Sequence, residues 1–143
     1  MRHDPPNDDE IDSIARHILH GHQIVERITS QTPDSSLSDL DLIQLALNSN
    51  SIASDETYSL QSLGMLLGQI IISNNEGYDW WMIDDEYGRD PTIRYLQTSL
   101  SLNVQTMISK RIEDGETVSM DELYNGVLSH AQKTIEEGFD DDA

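Results

Sequence analysis

Between residues 60 and 71, apolar side chains occupy most of the circumference of a helix: Leu60, Leu63, Met65, Leu66, Leu67, Ile70 and Ile71 point in nearly every direction. A helix that is apolar almost all round must be surrounded, so the rest of the chain has to wrap it. Lipid is excluded as the surrounding medium, because Gln61, Ser62, Gly64, Gly68 and Gln69 interrupt a run that falls short of the ~20 residues a membrane span needs. Gly64 and Gly68, one turn apart, mark where another backbone can approach closely within the same domain. With 143 residues, 36% of them hydrophobic, the chain is expected to form a single domain over residues 1–143, large enough for a genuine core.

The flanking segments supply the wrapping. Ile11, Ile14, Ile18, Val25 and Ile28 recur at spacings of three, four and seven, predicting an amphipathic helix over residues 9–29 with a bend or weak point at Gly21. Ahead of it, Asp4, Asp8, Pro5 and Pro6 offer too little apolar area to order the chain, so residues 1–8 are expected to be a flexible acidic arm. Leu40, Ile43 and Leu47 line a short second helix opened by Ser35 or Ser36. After Gly77 the period changes: residues 78–83 and 92–96 are rich in aromatic and branched side chains, and Leu100, Leu102 and Val104 alternate with polar residues. These patterns predict a three-stranded antiparallel β-meander. A fourth helix is expected over residues 104–114, ending before Gly115, and a fifth begins at the Ser119/Glu122 capping box. A flexible acidic tail is expected over residues 138–143. The fold class is therefore α+β, about five helices packed mainly on one face of the meander.

Two blocks stand out beyond periodicity. The run Trp80-Trp81-Met82-Ile83-Asp84-Asp85-Glu86-Tyr87-Gly88-Arg89-Asp90 is followed, in order and at matching spacing, by Met107-Ile108-Ser109-Lys110-Arg111-Ile112-Glu113-Asp114-Gly115. Together they resemble a bacterial family catalogued as domain of unknown function 3806, over roughly residues 60–131. Where that family carries an aromatic residue and a proline ahead of the second block, this chain has Asn103 and Val104. The resemblance implies kinship of fold and carries no activity with it.

The connection at residues 84–90 is the densest in chemistry, with Asp84, Asp85, Glu86 and Asp90 crowded beside Tyr87, Arg89, Trp80 and Trp81. It does not fit a calcium loop, since the glycine needed sixth falls fifth when counted from Asp84. Three uses stay open: Asp85 or Glu86 capping the hairpin with Arg89 paired to a carboxylate, a protein-binding turn, or catalysis by paired carboxylates. Trp80 and Trp81 are strand neighbours and must project to opposite sides of the sheet; one packs on the helices, and the other is covered or free for a partner. Those eight residues form the candidate partner-binding set. Lys110 and Arg111 serve as helix-end cations or as counter-charges to the turn. His17 and His20 share a helix face while His22 points away, so they are assigned to polar surface rather than to a metal. No catalytic, cofactor-binding or metal residue is assigned.

Charge orders the function classes. Lys and Arg total 8 against 27 Asp and Glu, a formal net charge of −19, which opposes binding to nucleic acid or an anionic membrane. The absence of cysteine excludes disulfide scaffolds, thiolate zinc sites and a cysteine nucleophile, and with no basic-then-apolar leader a cytoplasmic location is expected. An acidic domain without a recognisable catalytic set points to a protein-binding module, first an immunity-like inhibitor that neutralises a basic partner such as a secreted toxin. An acidic secretion chaperone or adaptor, expected to form a homodimer, comes second. An enzyme working through the turn carboxylates comes third. Crowded like charge also makes a prediction independent of function: moderate sodium chloride should raise the thermal midpoint by screening self-repulsion, and a midpoint that falls steadily with salt would contradict it.

Overall fold

The apolar segment is helix α3 (Thr57–Asn74) of the computed structural model, which describes residues 1–138, and its buried residues run without a break from Ser62 to Gly68. Helix α1 (Asp8–Thr29) meets it at Gly21, where a Cβ would stand 2.6 Å from the Ser62 carbonyl oxygen. The helix continues through the expected weak point at Gly21 without a break, and the glycine serves close approach to α3 instead. Gly64 admits another backbone, as the sequence predicts, whereas Gly68 makes room for side chains instead. A Cβ on Gly64 would stand 2.8 Å from the Gln105 carbonyl oxygen and closer still to that of Val104, and one on Gly68 would stand 2.6 Å from the Trp80 ring. Helices α2 (Asp39–Asn48), α4 (Met107–Glu113) and α5 (Met120–Glu137) complete the wrapping, with Ile43, Ile108, Met120 and Leu123 in one cluster with Leu63, Leu67 and Ile71 of α3.

One antiparallel sheet accompanies α3, in the order β1 (Arg2–Asp4), β2 (Tyr78–Asp85), β3 (Gly88–Tyr95), β4 (Ser101–Leu102). It has four strands rather than the expected three. The extra one comes from the supposed flexible arm: Arg2, His3 and Asp4 pair with Asp84, Ile83 and Met82. Backbone pairing and ion pairs order this segment in place of the apolar area it lacks. Pro5 and Pro6, having no N–H to donate, end the strand. Asn7 then opens α1 through a reciprocal capping box, its Oδ1 accepting from the Glu10 N–H at 2.8 Å while the Glu10 carboxylate accepts from the Asn7 N–H at 3.0 Å.

The hairpin is tighter than expected. Only Glu86 and Tyr87 separate β2 from β3, because Gly88 takes a φ of 126° and the Asp85 carboxylate accepts from the Tyr87 N–H at 2.9 Å. The third strand of the meander, β4, shrinks to two residues: Val104–Thr106 form a 3₁₀ turn and α4 starts only at Met107. Leu100, Leu102 and Val104 are nonetheless buried, as their alternation requires. Helix α2 also starts later than Ser35 or Ser36 implied. Buried Asp39 reaches back instead, accepting from the N–H groups of Asp34 and Ser35 at 3.1 and 2.7 Å. The C-terminal tail, past Gly138, lies outside the described residues.

The glycines yield a paired expectation. Gly64→Ala should lower unfolding free energy by about 1–3 kcal/mol, because the methyl meets backbone rather than a yielding side chain. Gly126→Ala on α5, where a Cβ meets nothing within 4 Å, should raise it by up to about 1 kcal/mol. Urea denaturation of the two variants checks both signs.

Candidate functional site

The tight hairpin sorts its residues onto two faces. Cross-strand pairing sets Asp84 opposite Arg89, Met82 opposite Pro91 and Trp80 opposite Ile93, so these residues share the helix-covered face; Trp81, Ile83 and Asp85 point to the other. Trp80 packs on Gly68, and its Nε1 donates to the Gln69 side chain at 3.2 Å. Trp81 is half-buried on the opposite face, with the Arg94 guanidinium 4.6 Å from its ring centroid. Arg94 is 3% exposed and donates from Nε to the Thr98 carbonyl at 2.7 Å. The two indoles thus separate as strand geometry demands, and neither lines the hairpin tip.

On the helix side, Arg89 is held by carboxylates from the start of the chain. Its Nε and Nη2 donate to the two Glu10 oxygens at 2.7 and 3.0 Å, and its Nη1 donates to Asp4 at 2.6 Å. Asp84 stands 3.6 Å from the same Nη1 and accepts from Arg2 at 3.2 Å; Arg2 also donates to Asp4 at 2.9 Å. The Arg89 guanidinium, then that of Arg2, holds the Asp4 carboxyl below its usual range, and Arg89, then the Asn7 backbone, does the same for Glu10. The same two carboxylates raise Arg89. Sequence patterns do not announce this cluster, since one half of it comes from the start of the chain and the other from the hairpin beyond α3.

The other side of the tip is left acidic. Glu86 and Asp90 are exposed, Asp85 is half-buried, and Tyr87 is 87% exposed, the most open large hydrophobic residue among the described residues. Because β4 pairs only with Ile93 and Arg94, the earlier part of β3 has no strand on that side. A cleft of about 400 Å³ lies there, with Asp85, Tyr87 and Asp90 on one wall. The facing wall carries Asn103, Gln105, Thr106 and Lys110 from the 3₁₀ turn and α4. The acidic turn and the Met-Ile-Ser-Lys-Arg block, separated in sequence by β3 and β4, therefore converge on one cleft. Among the described residues Lys110 makes no ion pair there, so it faces the carboxylates without neutralising them. Gln61, Asn103 and Gln105 are additions that only the fold reveals; Asn103 also accepts from the Thr92 hydroxyl at 2.7 Å.

Such a wall of carboxylates, amides and one aromatic ring is suited to cations and hydrogen-bonding chains. Among the described residues no group of three or more His, Asp or Glu is arranged to hold a metal ion. His17 and His20 both meet Tyr58, His17 stacked at 4.3 Å, and burial pushes the His17 imidazole down from its ordinary value. No helix of the described residues is long and apolar enough to cross a membrane.

A family model described as "Domain of unknown function (DUF3806)" matches residues 39–124, which take in both walls of the cleft but neither β1 nor α1. A crystal structure from Bacteroides thetaiotaomicron VPI-5482, at 1.50 Å resolution, is similar with a TM-score of 0.82 and 17% sequence identity. That likeness is one of fold; it covers 91% of this chain and 48% of the other, so this chain spans about half the length of its structural neighbour. No curated protein matches the sequence.

The Arg89 cluster carries a pH dependence. Both partner carboxyls titrate lower when folded, so their contribution is complete above about pH 4.5 and is lost as pH falls through the depressed native values. Arg89→Gln should therefore destabilise the protein above that pH, with the difference from the parent vanishing in acid. Amide exchange at Met82–Asp84 should quicken in the variant as β1 loosens; an unchanged pH–stability profile would refute the assignment.

Proposed function

The chain belongs to the family described as Domain of unknown function (DUF3806), a description that names no activity, and from its hairpin we propose that it is an acidic protein-binding module for a basic partner. The observation that carries this reading is the asymmetry of the tip. Arg89, the cation within the turn, is drawn to the helix side by Asp4 and Glu10. Asp85, Glu86 and Asp90 remain around exposed Tyr87, with carboxylates to steer a basic surface and an aromatic ring to anchor it. The short turn and the strand pairing hold these groups on a rigid support, which limits the ordering entropy lost on binding. An immunity-like inhibitor of a basic toxin, meeting its partner in the cytoplasm, is the form of this function that the net charge of −19 favours.

The enzyme alternative draws on the same cleft, since Asp85 and Asp90 line it together. The discriminating experiment is affinity capture from the source cell, followed by association kinetics with the captured partner at two ionic strengths. Glu86→Lys combined with Asp90→Lys should slow association about tenfold or more at low salt and flatten its salt dependence, with the melting transition retained. Asp84 and Asp85 are left untouched because the first contacts Arg2 and Arg89 and the second accepts from the Tyr87 N–H. An unchanged association rate in the folded double variant would remove the tip from the interface. Failure to retain any basic partner would move the case to catalysis.

A further inference from the structure

Cations are scarce in this chain, and most of those near the sheet are already engaged. Arg2 and Arg89 pair with carboxylates, and Arg94 lies over Trp81. Lys110 and Arg111 are the one adjacent pair of cations in the sequence, and among the described residues neither has an ion-pair partner. Both line a second cleft, between α4 and α5, of about 560 Å³. That volume lies within the usual span of small-molecule sites. Its floor is apolar: Leu102 and Leu123 are buried, and Met107 and Val127 are partly buried beside them. Gly126 of α5 leaves the wall open, since a Cβ there would meet nothing within 4 Å. Arg111 is held in place by donating from Nη1 to the Met107 carbonyl at 2.8 Å. Glu122 and His130 complete the polar lining, where the two cations Lys110 and Arg111 face the one carboxylate of Glu122.

We propose that this α4–α5 cleft binds a small apolar carboxylate, its anionic end on Lys110 and Arg111 and its apolar body over Leu102, Leu123 and Val127 beside Gly126. A net lining charge of one suits a monoanion better than a phosphate of higher charge, and the apolar floor requires a hydrocarbon or aromatic body. The site shares Lys110 with the border of the hairpin cleft but does not rest on the hairpin reading, which uses other carboxylates and another partner chemistry. It also explains why a strongly acidic surface concentrates cations here: without them, the surrounding field would repel an anion.

Octanoate is the probe, titrated into the full chain at 0.15 M salt, where the screening length is about 8 Å, with amide resonances followed by NMR. Saturable shifts confined to α4, α5 and Leu102 are expected, with acetate and 1-octanol each at least about tenfold weaker because one lacks the body and the other the charge. Lys110→Gln should weaken octanoate about tenfold. Gly126→Leu should abolish its binding by filling the cleft, with the thermal midpoint kept or raised. No saturable shift with octanoate, equal shifts with 1-octanol, or undiminished binding in folded Gly126→Leu would each overturn the proposal. If Gly126→Leu does not fold, the three probes on the parent chain and Lys110→Gln still decide it.

Discussion

Enclosure of α3 is the constraint on which the rest of the structure depends. A helix buried from Ser62 to Gly68 leaves no free face, so every neighbouring element must find a way in, and three glycines provide it. Gly21 brings α1 onto the Ser62 carbonyl, Gly64 admits the 3₁₀ turn, and Gly68 makes room for the Trp80 ring. Each contact also places part of the hairpin or of what surrounds it. The approach at Gly21 belongs to the helix that carries Glu10 to Arg89. The approach at Gly64 sets the turn that forms one wall of the hairpin cleft. The contact at Gly68 fixes β2, and with it the direction in which the hairpin points.

Electrostatics finishes what packing begins. In a chain of net charge −19 an arginine has many carboxylates to choose from, and geometry decides which. Arg89 takes Asp4 and Glu10 because the Asp4 side chain, opposite Met82, and the first turn of α1 meet it on the same face of the sheet. Two-point bonding to Glu10 adds direction to attraction, as a planar guanidinium allows. Drawing the arginine to that side leaves the other side acidic. The cluster that pins the N-terminal strand is thus the same cluster that polarises the tip.

How much of this is legible in the sequence follows from the range of each interaction. The helices, their apolar faces, the close backbone approach at Gly64 and the opposed tryptophans all rest on periodicity, which is local and therefore visible. Arg2–Asp4 reads as a loose arm because composition records apolar area, whereas what orders it is backbone pairing to Ile83 and ion pairs to the distant hairpin. Gly21 reads as a breaker because helix propensity is local, while its reason for being there, α3, lies beyond the whole of α2. The turn at residues 84–90 is recognisably dense in chemistry, yet its division into a neutralised and an acidic side needs the register. Asn103 and Gln105, which face the turn across the cleft, carry no motif at all.

The same register explains why the acidic tip and the cationic cleft coexist so closely. Lys110 borders both, with the hairpin carboxylates to one side and the α4–α5 floor to the other. An ammonium in that position is attracted toward Asp85 and Asp90, but no ion pair forms within the described residues, so its charge remains available on either side. A long flexible lysine can serve such a divided environment where an arginine locked into a planar pair cannot. Arg111, one residue on, is fixed by the Met107 carbonyl and stays apart from the hairpin cleft. The two adjacent cations therefore differ in kind: one is anchored, and the other stands between the hairpin carboxylates and the apolar floor of the α4–α5 cleft.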